Sequence, residues 1–404
     1  MKESLLPGER IREYYPILKR TGTSGAPICY LDSAAMALKP ATVIEVVAKM
    51  LSHYTANIHR SVHNLGDEAT EIYESARRKV ARFINSESHE IVFTKNATEA
   101  LNTVAHSWNG RGRIITSYGE HHSNYLPWQE QVTFLRPLLD GRLNTELLRD
   151  ELEKGDVSLV SLSHVSNVSG AEIDVHAVAN LCHSYSALLV VDASQSAPHM
   201  EIDVNAMDCD FLVFSGHKLG APTGTGVLYG KAKHLHQLDW FQKGGGTVEE
   251  VHVADASVMQ SPPWKFEAGT PQIEAVAGLG KAVDFLLEIG MDAIAEHQHM
   301  LTQLALKQIR QKLPEANILG PVDDSRAGPV SMYFQRIPSH NLARGLSDSY
   351  SVCARSGFHC AQPLHECLNA PATLRLSFSL YNTPTEVEYA INGLAELVSL
   401  TAYK

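Results

Sequence analysis

The chain has 404 residues, 44% of them hydrophobic, with 34 Lys and Arg against 45 Asp and Glu and a formal net charge of −11. That apolar content can bury one large domain plus a smaller one, and it excludes a disordered chain. The acidic balance, spread without long runs, excludes nucleic acid or an anionic membrane as the main partner and points to a small-molecule enzyme. The opening stretch MKESLLPGERIREYYPIL is charged throughout and lacks the apolar stretch, about 7–15 residues long, of a signal peptide. No later run approaches the roughly 18 apolar residues of a membrane span. The six cysteines, Cys29, Cys182, Cys209, Cys353, Cys360 and Cys367, are scattered and form no C-x-x-C pair, so a reducing, cytoplasmic setting is expected.

In chain order, strand-like runs EIVFTK (90–95), RIITS (113–117), VSLVSLSHVS (157–166), ALLVVDAS (187–194) and DFLVFSG (210–216) stand among helical patterns at 67–84, 97–108 and 174–186. That rhythm predicts an α/β domain with a largely parallel sheet. From about 272 the pattern changes to two long helices, strand-like pieces at 328–336 and 373–381, and a final helix at 383–400. We expect a large α/β domain over 20–280 and a smaller α+β domain over 281–404, with residues 1–19 packing on the smaller one.

In an open parallel sheet, ligands sit beyond the carboxyl ends of the strands. DFLVF followed by SGHK puts Lys218 just past such an end, and ALLVV ends in Asp192. If those two strands lie close together, an amine and a carboxylate face one crevice. Pyridoxal phosphate chemistry needs that pair: the amine to bond the cofactor, the acid to keep the ring's nitrogen protonated. Taken singly, each is better read as a surface lysine or a turn aspartate. The loop GAPTGTG lacks the G-x-G-x-x-G spacing and Gly230-Lys231-Ala232 lacks the Walker Ser/Thr, so neither nucleotide motif holds. What remains is a tight turn of small residues flanked by Ser215 and His217, possible phosphate donors. TKNATEALN (94–102), a strand end followed by a helix start, is a second anion cradle, or simply a helix cap.

YLDSAAMALKP (30–40), NIHRSVH (57–63), EHHSNYLPW (120–128), SHVSNVSG (163–170), VDASQSAPH (191–199), FSGHKLGAPTGTGVLYG (214–230), FEAGTP (266–271), RSGFHCAQP (355–363) and LRLSFSLYNT (374–383) follow one another along nearly the whole chain. With them the sequence resembles the group II cysteine desulfurase and selenocysteine lyase family, in the class V aminotransferase group of fold-type-I pyridoxal phosphate enzymes. The resemblance implies a seven-stranded, mostly parallel sheet in the large domain and pyridoxal 5′-phosphate as cofactor. Lys218 would bond the cofactor, Asp192 pair with its ring nitrogen, Gln195 contact its ring hydroxyl and His121 stack on it. Ala97, Thr98, Ser215 and His217 would cup the phosphate, and Thr270 would reach the phosphate of a neighbouring subunit in a homodimer.

For the substrate, L-cysteine or selenocysteine, Arg375 looks like the carboxylate fork, with Asn167 assisting and Arg355, His59 and Arg60 lining the site. Cys360 would be the nucleophile that takes sulfur as a persulfide and passes it to an acceptor protein. Arg355 and the adjacent His359 are expected to favour its thiolate. Cys353, Cys360 and Cys367 with His359 and His365 raise a metal reading, but their spacing matches no common zinc pattern, and no metal is expected. The sequence departs from the family's commoner residues at Asn96, Ala97, Gly220 and Phe358. Alternatives are a lyase acting on selenocysteine or cysteine sulfinate without need of Cys360, or a cofactor-poor scaffold for sulfur-transfer partners.

Overall fold

The computed structural model describes residues 7–128, 131–253, 258–323 and 325–402. Seven strands form the main sheet, in the order Ile91–Thr94, Gly226–Gly230, Phe211–Ser215, Leu188–Asp192, Val157–Ser163, Arg113–Ser117 and Val132–Leu135. All neighbours are parallel except Gly226–Gly230, which runs antiparallel to both strands beside it. The small-residue loop after Lys218 explains the exception, since it holds no crossover helix and turns the chain straight back. Its Gly220 has φ +88°, a left-handed conformation that a side chain would strain. The strand Phe211–Ser215 is buried along its whole length, as befits a sheet covered on both faces.

Helices start where side chains can cap them. Asn96 accepts from the Glu99 N–H ahead of Ala97–Ser107, and Asp174 accepts from the Ala177 N–H ahead of Val175–Ser184. The helix Ile273–Ile289 packs on Ala41–His53 and Asn64–Phe83.

A second, antiparallel sheet has the order Asn317–Leu319, Val330–Tyr333, Thr373–Leu376, Arg355–Gly357. Its core gathers Leu301, Leu306, Ile309, Met332, Leu374 and Leu394 with Cys29 and Leu31. The core of the main sheet extends through Phe285 and Met291 to Ile294, so the change of core falls inside the helix Met291–Lys312 rather than at 280. Residues 10–19 bridge the two parts. Ile11, Tyr15 and Leu18 pack into the larger core, while Arg12 pairs with Glu386 at 2.8 Å on the C-terminal side.

Candidate active site

Parallel strands deliver their last residues to one edge. Asp192 lies in register with Val213 on the adjacent strand, and Lys218 comes three residues after the end of that second strand. Both line a cavity of about 220 Å³, smaller than the roughly 300–1,000 Å³ of drug-sized sites and suited to one substituted ring. Ala97, Thr98, His121, Asn167, Gln195, Ser215, His217, Arg355, Cys360 and Arg375 line it as well. Cys360 and both arginines come from the smaller sheet and its loops, so the cavity sits at the seam between the two parts.

Lys218 is pushed down to about 8, mainly by burial, with Asp192 opposing and Arg375 adding to the fall. Much of the amine is therefore neutral near pH 8, the form that attacks a carbonyl. Burial and the charge of Lys218 lower His121 to about 4, and burial with Lys218 and Lys39 does the same to His217, so both imidazoles stay neutral. Asp192 accepts the Ser194 N–H at 2.9 Å. In the same cavity, the Ala97 N–H donates to Ser215 Oγ at 2.9 Å and Thr98 Oγ1 lies 2.7 Å from Ser123 Oγ. This ring of donors stands at the start of a helix, where an anion is favoured.

Arg375 is 2% exposed. Its Nη1 donates to the Asn167 carbonyl at 3.1 Å, its Nη2 to Asp32 Oδ1 at 3.2 Å, and its Nε has no partner among the described residues. A buried guanidinium with one free N–H is a poised receptor for a carboxylate. Asp32 also lies 4.0 Å from Arg355 Nη1, and burial raises its pKa against the pull of both arginines. Sequence reasoning passed over Asp32, although a buried arginine requires an acid nearby and YLDSAA supplies the only carboxylate of that segment.

Cys360 is exposed and sits in a turn where Gly357, His359 and Cys360 have φ of +129°, +51° and +57°. Left-handed non-glycine residues cost on the order of 1 kcal/mol each, so the turn needs outside support. The His122 N–H donates to the Cys360 carbonyl at 2.6 Å and Asn167 Nδ2 to the His359 carbonyl at 2.7 Å. One expectation is corrected here. His359 supplies no positive charge to Cys360, because burial and the charges of Arg375, His365 and Arg355 push its ring down to about 2. The cations that feel Cys360 are Lys218 and Arg375.

Thr270, His59 and Arg60 do not join this cavity. They line another, of about 630 Å³, with Trp264 and Glu267. There His59 Nε2 lies 2.8 Å from Glu74 Oε1 and Arg60 Nη2 donates to the Val248 carbonyl at 2.8 Å. Phe358, the departure beside the turn, is 40% exposed with its ring edge-on to His365. Among the described residues no group of His, Cys, Asp and Glu could hold a metal ion, and no helix is long and apolar enough to cross a membrane.

A mostly parallel sheet with a half-buried lysine and an aspartate at its carboxyl edge, completed by a guanidinium and a thiol from the smaller sheet and its loops, defines an enzyme of amino-acid chemistry. The aminotransferase class-V family model matches residues 29–390, and the chain belongs to that family, within its cysteine desulfurases. A probable cysteine desulfurase of Halalkalibacterium halodurans is 41% identical over 95% of this chain and 96% of its own length. A cysteine desulfurase of Escherichia coli is 37% identical over 96% and 98%. The apo structure of a cysteine desulfurase from Thermococcus onnurineus superposes with a TM-score of 0.91 at 35% identity, covering 98% of this chain and 99% of that one.

Proposed function

We propose that this chain is a pyridoxal phosphate-dependent cysteine desulfurase that converts L-cysteine to L-alanine and keeps the sulfur as a persulfide on Cys360. The observation that carries this reading is the meeting of the Lys218 amine and the Cys360 thiol in one cavity, each brought by a different sheet. The residues present fit the cofactor. The neutral-leaning amine would bond it, Asp192 would pair with its ring nitrogen, His121 would lie against the ring, and Gln195 would meet its hydroxyl. Ala97, Thr98, Ser215 and His217 would hold its phosphate, and the buried Ser194 Oγ, without a partner among the described residues, is one more donor for such a ligand. When bound, pyridoxal phosphate supplies an electron sink at the α-carbon of the amino acid.

Arg375, helped by Asn167 and Arg355, would hold the substrate carboxylate, and the Lys218 amine would move the α-proton. Cys360 as thiolate attacks the substrate's sulfur. The new S–S bond forms as the Cβ–S bond breaks, and protonation of the carbon product gives alanine. The balance is L-cysteine plus a thiol giving L-alanine plus a persulfide. An exposed Cys360 suits onward transfer to a thiol of an acceptor protein, and a cytoplasmic setting, where thiols stay reduced, completes the proposal. The cavity holding Thr270, His59 and Arg60 would meet the site of a second copy in a homodimer.

Mass spectrometry after incubation with cysteine is expected to show one added sulfur on Cys360 together with free alanine. Replacing Cys360 with alanine should abolish cysteine turnover. Full turnover in that variant would favour a lyase that does not use the thiol.

A further inference from the structure

The turn that carries Cys360 rests on a chain of three buried side chains whose hydrogens can be assigned. His365, on the short helix Gln362–Cys367, places Nδ1 3.0 Å from the Ala361 carbonyl oxygen. A carbonyl only accepts, so Nδ1 carries the hydrogen. Burial keeps this imidazole neutral, which leaves a lone pair on Nε2, 3.2 Å from Thr373 Oγ1. Thr373 gives its single hydrogen to that lone pair, its alternative acceptor being the Gly357 carbonyl at the longer distance of 3.5 Å. Thr373 Oγ1 therefore accepts from His359 Nε2 at 2.9 Å, and His359 is fixed as the Nε2–H tautomer.

A base is the obvious role for a histidine next to a nucleophilic cysteine. Burial first, and then the charges of Arg375, His365 and Arg355, oppose a further proton on the ring and decide against it. His359 is a neutral anchor. It holds a turn whose backbone is left-handed at Gly357, at His359 itself and at Cys360, where the His122 N–H and Asn167 Nδ2 reach the backbone carbonyls of Cys360 and His359 and no side chain of the turn.

We propose that Thr373 and His365 are positioning residues that act through His359 to hold Cys360 in its exposed, left-handed conformation at the cavity mouth. The inference deepens the desulfurase reading and, for its effect on turnover, rests on it. None of the three is a proton donor or acceptor in the reaction itself.

The test is hydrogen–deuterium exchange across 357–361, read beside steady-state kinetics in the holoenzyme. Thr373→Val, equal in shape, leaves the His359 N–H unsatisfied in a buried place, and exchange in the turn should speed by about tenfold or more. Exchange in the core strand Phe211–Ser215 should stay as in the parent. The kcat for cysteine should fall by about tenfold with KM nearly unchanged, because Arg375 still receives the carboxylate. Thr373→Ser keeps the hydroxyl and should restore both readings. His365→Leu, which removes the acceptor of the Thr373 hydrogen, should loosen the turn in the same direction, and it serves if Thr373→Val does not fold. Unchanged exchange in the turn of Thr373→Val or His365→Leu, or a Thr373→Ser variant as loose as Thr373→Val, overturns the anchor. Full cysteine turnover in a Cys360→Ala variant would instead remove the desulfurase reading and leave the exchange result to stand by itself.

Discussion

Glu120 precedes His121 and is buried beside Asp192. Burial raises its pKa to about 8, with Asp192 adding to the rise while bonds from Ser163 and Asn124 oppose it. Its Oε2 accepts from Asn124 Nδ2 at 2.7 Å. Between the usual carboxylate range and about pH 8 the folded chain thus keeps a proton that the unfolded chain has lost, and stability falls as pH rises through that window. Glu120→Gln retains an acceptor for Asn124 without the titration. Its Tm should exceed the parent's by about 2–4 °C at pH 8 and above, the gap opening from pH 5 and closing below it; thermal melts across pH check this. Glu120 was not legible in the sequence, where EHHSN drew attention to the histidine; its importance arises only when two strands close over it. Lys218 and Asp192 were legible because each follows an apolar run that can only be a buried strand. Cys360 was legible through its motif, but the neutrality of His359 was not, since it depends first on burial and then on Arg375, which is remote in sequence.

At the level of elements, the anion cradle depends on a close approach that a single glycine permits. A Cβ on Gly226 would lie 2.5 Å from the Cα of Asn96, the residue that caps the helix Ala97–Ser107. Backbone cannot yield cheaply, so Gly226→Ala must push that helix start away from Ser215. The variant should lose about tenfold in affinity for pyridoxal phosphate, measured by absorbance titration, and melt a few degrees lower. The helices at 67–84, 97–108 and 174–186 were readable from their periodicity and lie within a few residues of Asn64–Phe83, Ala97–Ser107 and Val175–Ser184. Two strands of the main sheet escaped separate notice. Val132–Leu135 is short and only half-buried, and Gly226–Gly230 is buried throughout but hidden in the tail of a glycine-rich loop.

For the whole molecule, the separation of two cavities in one chain is the main fact. Thr270, His59 and Arg60 were singled out as site residues, yet they open into a different hollow from Lys218. On the homodimer proposal the two hollows meet across a two-fold axis, where residues distant in one chain become neighbours. Sedimentation at micromolar concentration should give twice the mass of the chain, and Arg60→Glu should weaken both dimer and cofactor retention. A monomer that retains its cofactor fully would refute the shared site. Nor could sequence place the seam between the parts, because the helix Met291–Lys312 serves both cores and leaves no linker to read. Across that seam runs Asn167, whose carbonyl takes Arg375 and whose amide holds the turn of Cys360. One short side chain and its own backbone thereby act as a yardstick: the grip on the amino acid and the reach of the sulfur are measured from the same point, so neither can drift without the other registering it.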